Sequence, residues 1–382
     1  MFYLILWLSK TLNFIINFLR LGAGYTWPGH VALNLNPHIA KDKHFKFPMG
    51  VALVTGTNGK TTTSKLLTHI LETSGLKVTH NGTGANLLNG IVSAVLLDMD
   101  WRGGHDSDIA VFEVDENNLP VVLEYFSPNV LVLLNLSRDQ LDRYGEVDII
   151  LEKWLSAIDT MDPSAELVLD STQKYFKKLP EVFEGDITYF DGDSTYLKQT
   201  SLVGEFNAKN VNAAVYTAQL VGIGDESILK ALKTFNFAYG RGETLKYSGK
   251  SWRILLAKNP ASFNNNLDII LSGEVGADTL VFVFNDKIPD GRDVSWIYDI
   301  EAERLQKACE EKNIYVTGTR GLDMAVRLKY AGVEIKKENI FETIEEAVRK
   351  VGLNGSAKDI LALPNYSAML QLRKVLTGKA IL

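Results

Sequence analysis

The chain has one cysteine in 382 residues, Cys309. A lone thiol forms neither an internal disulfide nor a multi-cysteine zinc site, and the sequence offers it no identifiable activating base. No zinc is expected, and a cytosolic setting is. Cys309 falls in an expected helix, Glu301 to Lys312, where packing is its role. Basic residues are also short. Forty Lys and Arg face 46 Asp and Glu, a formal charge of −6 that leaves no electrostatic footprint for nucleic acid. His30, His38 and His44 lack metal-ligand spacing. There are no internal repeats and no low-complexity tracts. A bilayer span needs about 20 mostly apolar residues. The first 20 come nearest, but Lys10, Asn13 and Asn17 interrupt them. Without leading positive charge or a small-residue cleavage site, that stretch is not expected to be a secretory signal either.

What the sequence does hold is organised around VALVTGTNGKTTTSKLLTHIL, Val51 to Leu71. A short apolar run leads into a glycine-containing turn, and then Leu66, Leu67, Ile70 and Leu71 recur at helical spacing, so the stretch reads as strand, tight loop, helix. Gly56 and Gly59 let the loop Gly56, Thr57, Asn58, Gly59, Lys60, Thr61, Thr62 curl so that backbone N–H groups point inward. The helix adds its positive end, Lys60 a full charge, and Thr61 a hydroxyl for magnesium. This is a cradle for a polyphosphate. A glycine-rich turn without a ligand is the plainer alternative.

Around it, the first residues form an amphipathic helix. Met1, Leu4, Ile5, Leu8, Leu12, Ile15, Ile16 and Leu19 fall on one side, with Lys10, Asn13, Asn17 and Arg20 on the other. Either the apolar stripe packs on the chain's own or a partner's surface, or it rests in a membrane interface with Trp7 and Phe2 inserted. After Pro37 a polar stretch reads as a linker to Val51. From there strand and helix patterns alternate to about Thr244, as in a parallel α/β sheet, where ligands gather beyond the strands' carboxyl ends. Glu113, Asp115, Asn135 and Asp139 fall at that rim, and Glu113 is the best second magnesium ligand; a plain surface carboxylate is its alternative. Asp139 and Asp142 also fit a charged turn. Asn207, Asn210 and Asn212 near the start of a later helix suit capping, or recognition of an adenine edge. A new alternation begins near Trp252. The expected organisation is therefore residues 1–48 as helix and linker, 49–244 as a nucleotide-binding α/β domain, and 245–382 as a smaller Rossmann-like α/β domain.

These stretches together resemble the Mur ligase superfamily and, within it, the MurT family. GTNGKTTT fits the superfamily's nucleotide loop and NLSRDQLDRYG its central-domain motif, while GEFNAKNVNAA and GRGE resemble its adenosine and inter-domain elements. AVFEVDE, GAGYTWPGHVAL, LLAKNPASFNNNL, DGRDVSWIYD, TGTRGLDMAVRLKYAG and LPNYSAMLQLR point more narrowly to MurT. The resemblance implies an ATP- and magnesium-dependent ligase that converts a carboxylate to an acyl phosphate for attack by an amine. For MurT-like proteins the carboxylate is that of D-glutamate in lipid II, and the amine is ammonia from a GatD-like glutaminase partner. It implies that Lys60 and Thr61 hold phosphates and magnesium with Glu113, and that Asn207, Asn210 and Arg241 line the nucleotide. Asp293 would complete the partner's Cys-His pair, with Asp290 and Asp299 as rivals and a turn carboxylate as the alternative role. Only 50 residues precede Val51, too few for the substrate domain of ordinary Mur ligases, and a lipid-anchored substrate at the inner face of the cell membrane gives the amphipathic helix a purpose. The four-cysteine ribbon common in MurT proteins is absent, Gln140 stands where ordinary Mur ligases often have a metal-binding His, and Leu255 where many have Asp. An amino-acid ligase of the murein or folylpolyglutamate kind, or a non-catalytic nucleotide-binding scaffold for the glutaminase, are the other readings.

Overall fold

Val51–Thr55 consists of five consecutive buried residues, as a central strand covered on both sides must. In the computed structural model it lies at the middle of the first of two sheets. The structure describes residues 1–382 except 20–23, 83, 138–145, 236–239, 288–289, 291–292, 356 and 380–382, and the side chains of 146 and 241. The described chain divides into two compact units, the second beginning in the main at Asn236.

The first unit runs α1 (Phe2–Phe18), α2 (Trp27–Leu35), β1 (Val51–Thr55), α3 (Lys60–Thr73), β2 (Val78–His80), α4 (Leu88–Asp98), β3 (Ile109–Val114), α5 (Leu119–Leu123) and β4 (Val130–Leu133). It continues through α6 (Glu146–Ile158), β5 (Glu166–Asp170), α7 (Leu179–Val182), β6 (Asp186–Phe190), α8 (Glu205–Leu220) and α9 (Asp225–Thr234). The strands form a parallel sheet in the order β2-β3-β1-β4-β5-β6. Leaving β1, the chain builds one side of the sheet, β2 and then β3; from β3 it crosses to β4 on the other. The carboxyl ends of β1, β3 and β4 therefore border the place where connections diverge, which is where open α/β sheets receive ligands.

Two expectations for the first 50 residues need correction. The stretch after Pro37 is not a free linker: Ile39, Ala40, Phe45 and Phe47 are buried in the core of this unit. Nor is the apolar stripe of α1 buried as one. The helix packs against α2 and α4 through Phe2, Ile5, Leu6, Ser9 and Ile16, a stripe rotated around the helix from the expected one. Phe2, expected at a membrane in one of the two readings, instead stacks on His44 with ring centroids 4.0 Å apart.

The second unit runs β7 (Arg241–Tyr247), β8 (Lys250–Leu255), α10 (Pro260–Leu271), β9 (Thr279–Val283), α11 (Ala302–Cys309), β10 (Asn313–Thr317) and α12 (Gly321–Tyr330), then β11 (Ile340–Phe341), α13 (Ile344–Leu353), β12 (Asp359–Pro364) and α14 (Tyr366–Thr377). Its sheet has the order β11-β10-β9-β12-β8-β7, parallel except for β7. Antiparallel pairing of β7 with β8 carries residues on both sides of the expected 244/245 boundary, so the domain edge lies earlier in the chain. In KNPASF, Pro260 opens α10 where a missing N–H is harmless. Asn259 and Ser262 cap it reciprocally, Ser262 N–H donating to Asn259 Oδ1 at 2.8 Å and Asn259 N–H to Ser262 Oγ at 3.1 Å.

Candidate active site

β1 ends at Thr55 and α3 begins at Lys60, so four residues make the whole turn between them. Gly56 and Gly59 take φ of 138° and 91°. Space excludes a side chain as firmly as conformation does: a Cβ on Gly56 would lie 2.9 Å from the backbone N and O of Asn135, and one on Gly59 would lie 2.1 Å from Asn210 Oδ1. The turn is clamped by the segment that follows β4. Asn58 N–H donates to Asn135 Oδ1 and Asn135 Nδ2 returns to Asn58 O, both at 2.9 Å. Thr57 N–H reaches Asn135 O at 3.0 Å, and the Thr57 hydroxyl bridges the carbonyl and N–H of Ser137. A loop held this way keeps its shape with or without a ligand, which is the preorganisation an anion site needs.

Lys60 is only 6% exposed. Its ammonium donates to the carbonyls of Gly56 and Thr57 and pairs with Glu116 Oε2 at 2.7 Å. Those three acceptors match its three donors. Glu116, itself 7% exposed, supplies the counter-charge that a buried ammonium requires. Its place is fixed by the turn in which Asn118 N–H bonds Asp115 O at 2.9 Å, and by Trp154 Nε1 donating to Glu116 O at 2.8 Å.

Glu113 lies in β3 directly beside Val54 of β1, two residues before Gly56. Asn81 holds its backbone from both sides, accepting from Glu113 N–H and donating to Glu113 O at 2.8 Å each. The side chain is 4% exposed, and its Oε2 has no hydrogen-bond partner. Leaving a buried carboxylate oxygen unsatisfied is costly, and a cation relieves that cost. Thr61, half-buried at the first turn of α3, contributes a hydroxyl. Hydroxyl, carboxylate, phosphate and water oxygens are the donor set of magnesium, which takes one or two protein carboxylates rather than a full protein cage. Among the described residues no cluster of three His, Cys, Asp or Glu could hold a metal by itself. The residues present fit magnesium carried jointly with phosphate.

The turn thus unites Gly56, Thr57, Asn58, Gly59, Lys60, Thr61 and Thr62 in one feature, with Glu113 on the neighbouring strand. Asn207, Asn210 and Asn212 lie inside α8, not at its cap, which corrects the capping reading. Asn210 packs its amide against Gly59 and accepts the Thr63 hydroxyl at 3.5 Å, Asn207 Oδ1 receives Asn210 Nδ2 at 3.3 Å, and Asn212 Nδ2 reaches back to the carbonyls of Asp191 and Asp193. Asp139, Gln140, Asp142 and the Arg241 side chain lie outside the described residues. In the second unit Asp293 is exposed, and Oδ1 accepts Ser295 N–H at 2.8 Å. Hydrogen bonds from the Ser295 hydroxyl and N–H hold its carboxyl below the usual range, so it is ionised at neutral pH. Its rival Asp290 is committed to α14, accepting Ser367 N–H at 2.8 Å and the Ser367 hydroxyl. Sequence reasoning missed Glu116 and the clamping role of Asn135. Both lay in quoted polar clusters, but only the tertiary fold turns them toward Lys60 and Asn58.

Residues 54–191 match the Mur ligase middle domain and residues 256–369 the MurT ligase C-terminal domain. The chain is 28% identical to the lipid II isoglutaminyl synthase (glutamine-hydrolyzing) subunit MurT of Staphylococcus aureus strain COL, over 91% of each chain. It is 26% identical to the MurT subunit of Streptococcus pneumoniae strain ATCC BAA-255 / R6, over 98% of this chain and 96% of that one. In fold it is similar to the MurF ligase of Thermotoga maritima solved in complex with ADP, with a TM-score of 0.68 at 16% identity over 90% of this chain and 82% of that one.

Proposed function

The chain belongs to the MurT family of Mur ligases, and from that premise we propose that it is the synthetase subunit of a lipid II isoglutaminyl synthase. It converts the α-carboxylate of D-glutamate in lipid II to the amide, using ATP and ammonia. A carboxylate is a poor acyl acceptor until one oxygen becomes a leaving group. Transfer of the γ-phosphoryl group supplies that, ammonia displaces phosphate from the acyl phosphate, and ADP and phosphate leave. Lys60 and the N-terminal end of α3 neutralise charge on the transferring group, and the glycine turn fixes its direction. Thr61 and Glu113 would hold magnesium, which would supply positive charge to offset that of the phosphates. Asn207, Asn210 and Arg241 are assigned to the nucleotide by resemblance.

The ammonia comes from a GatD-like glutaminase. Asp293, ionised and exposed, suits the orienting acid of that partner's Cys-His pair, whereas Asp290 is occupied at α14. Because lipid II is membrane-anchored, the complex works as a peripheral assembly at the inner face of the cell membrane.

The observation that carries this reading is the orphaned Glu113 Oε2 beside a phosphate turn with a buried lysine. The test is incubation of the purified protein and its glutaminase with glutamine, ATP, magnesium and lipid II. The expected product is lighter by about one mass unit, acid converted to amide, and Lys60→Met is expected to lose roughly a thousandfold in rate. A product gaining an amino-acid mass would instead mean an amino-acid ligase, and ATP binding without turnover would mean a scaffold.

A further inference from the structure

α1 is apolar on two sides, and among the described residues only one of them packs against the fold. Phe2, Ile5, Ser9 and Ile16 face the first unit. Met1, Leu4, Leu8, Ile15, Phe18 and Leu19 lie on the other side, between 43% and 81% exposed. At about 100° per residue they share one broad arc, in which Thr11 is the polar exception. Aromatic placement agrees. Trp7, Trp27 and Trp101 are 52%, 58% and 57% exposed, while Trp154, Trp252 and Trp296 are at 3% or below. Trp7 Nε1 donates to Trp101 O at 2.9 Å, and the Lys10 ammonium lies 5.8 Å from the Trp101 ring centroid, so two exposed indoles and a cation are gathered beside α1. Charge is segregated as well. Residues 1–48 hold five Lys and Arg against one acid, Asp42, a formal +4 in a chain of −6. Stacking of Phe2 on His44 brings the turn that carries Lys43 against the start of α1.

We propose that the outer face of α1 docks on an anionic phospholipid bilayer, the helix lying in the plane of the interface with its other side fixed to the protein. An apolar arc with tryptophans and cations at its margins is the pattern of an interfacial helix. No helix among the described residues is long and apolar enough to span. A protein partner is disfavoured by chemistry: protein interfaces carry about one hydrogen bond per 100–200 Å², and this arc offers Thr11 alone. The proposal deepens the function given above and rests on it for its purpose, since an enzyme lying on the bilayer meets a lipid-anchored substrate in two dimensions. Its evidence is separate.

The test is co-sedimentation of the full-length protein with vesicles of phosphatidylcholine and phosphatidylglycerol free of lipid II, compared with phosphatidylcholine alone. The expected result is pelleting with the anionic vesicles that weakens in high salt, with a blue shift of tryptophan emission. The double variant Leu8→Glu, Ile15→Glu, whose melting temperature should stay near wild type because both residues are exposed, is expected to lose binding roughly tenfold or more. Wild type remaining in the supernatant, or a variant pelleting equally, overturns the proposal. So does a concentration-dependent dimer that the variant abolishes while vesicles have no effect, which would make the face a contact between two copies. Amidation of a soluble stem-peptide substrate separates the two readings: equal rates for wild type and variant leave the ligase intact whatever the vesicles show, and no reaction by either defeats the ligase reading while the vesicle result still decides the surface.

Discussion

Two largely buried ion pairs, Lys60–Glu116 in the first unit and Arg373–Glu243 in the second, are built differently. In the second, Arg373 on α14 grips Glu243 on β7 with two parallel bonds of 2.7 and 2.6 Å, and Gly240 N–H adds a third contact to the same carboxylate at 3.2 Å. The planar fork and its fixed partner tie the antiparallel edge strand to a helix. In the first, Lys60 meets Glu116 through one oxygen at 2.7 Å, and its other two protons go to turn carbonyls. An ammonium is a point charge with rotatable donors, so it can exchange one anionic acceptor for another without rebuilding its surroundings. The forked pair holds shape; the single-point pair stands where a phosphate would compete for it.

The largest consequence should appear when the forked pair is cut. Arg373→Met leaves Glu243 largely buried without its partner, and loss of one member of such a pair costs about 3 kcal/mol or more. Chemical denaturation is expected to show that loss, with nucleotide affinity of the remaining folded protein unchanged. If the variant unfolds no earlier than wild type, the structural role of this pair is wrong.

Acid should then separate the units. All six histidines fall between residues 30 and 105, so the second unit has none. His80, ending β2, is half-buried with its Nε2 shielded from water and unpartnered, and desolvation, aided by the Lys65 charge, pushes its pKa from 6.5 down to about 4. The unfolded chain therefore binds a proton that the folded unit refuses between those values. Stability is complete above pH 6.5 and falls as pH drops toward 4, by about 3 kcal/mol at most. His80→Asn is expected to flatten this slope for the first unit while leaving the second unit's unfolding unchanged. An undiminished slope in the variant would shift the burden to other groups.

How far these differences could be read in the sequence depends on how local each one is. The strand, turn and helix around Lys60 were legible because VALV, GTNG and the leucine spacing each obey a short-range rule. Glu113 was legible too, since a strand-end carboxylate follows from alternation alone. Glu116 was not. It reaches Lys60, 56 residues away, only because the chain reverses at Asp115–Asn118 and Trp154 holds the reversal. The face of α1 that packs was missed for the opposite reason: when nearly every position around a helix is apolar, periodicity finds a stripe but not the one the protein covers. Asn210 shows a third limit. Its residue type suits a cap, and what decides its role is a glycine 151 positions earlier with no room for a side chain.

The smallest expected effect is the most informative about the comparison. Glu116→Gln keeps the shape of the side chain and a hydrogen-bond acceptor but removes the charge that would compete with a phosphate for Lys60. If the pair is exchangeable, the amide should leave ATP affinity equal or a few-fold tighter, a change of about 1 kcal/mol, because less attraction must be given up when phosphate takes the ammonium. Titration calorimetry with a non-hydrolysable ATP analogue reads this directly, and a thermal melt guards against misfolding. Stability should fall somewhat, since the buried ammonium keeps a neutral acceptor in place of an anion. Weaker nucleotide binding at unchanged stability would give the opposite lesson: Glu116 would be holding Lys60 in its working position, and the single-point pair would be as fixed a part of its unit as the arginine fork is of the other.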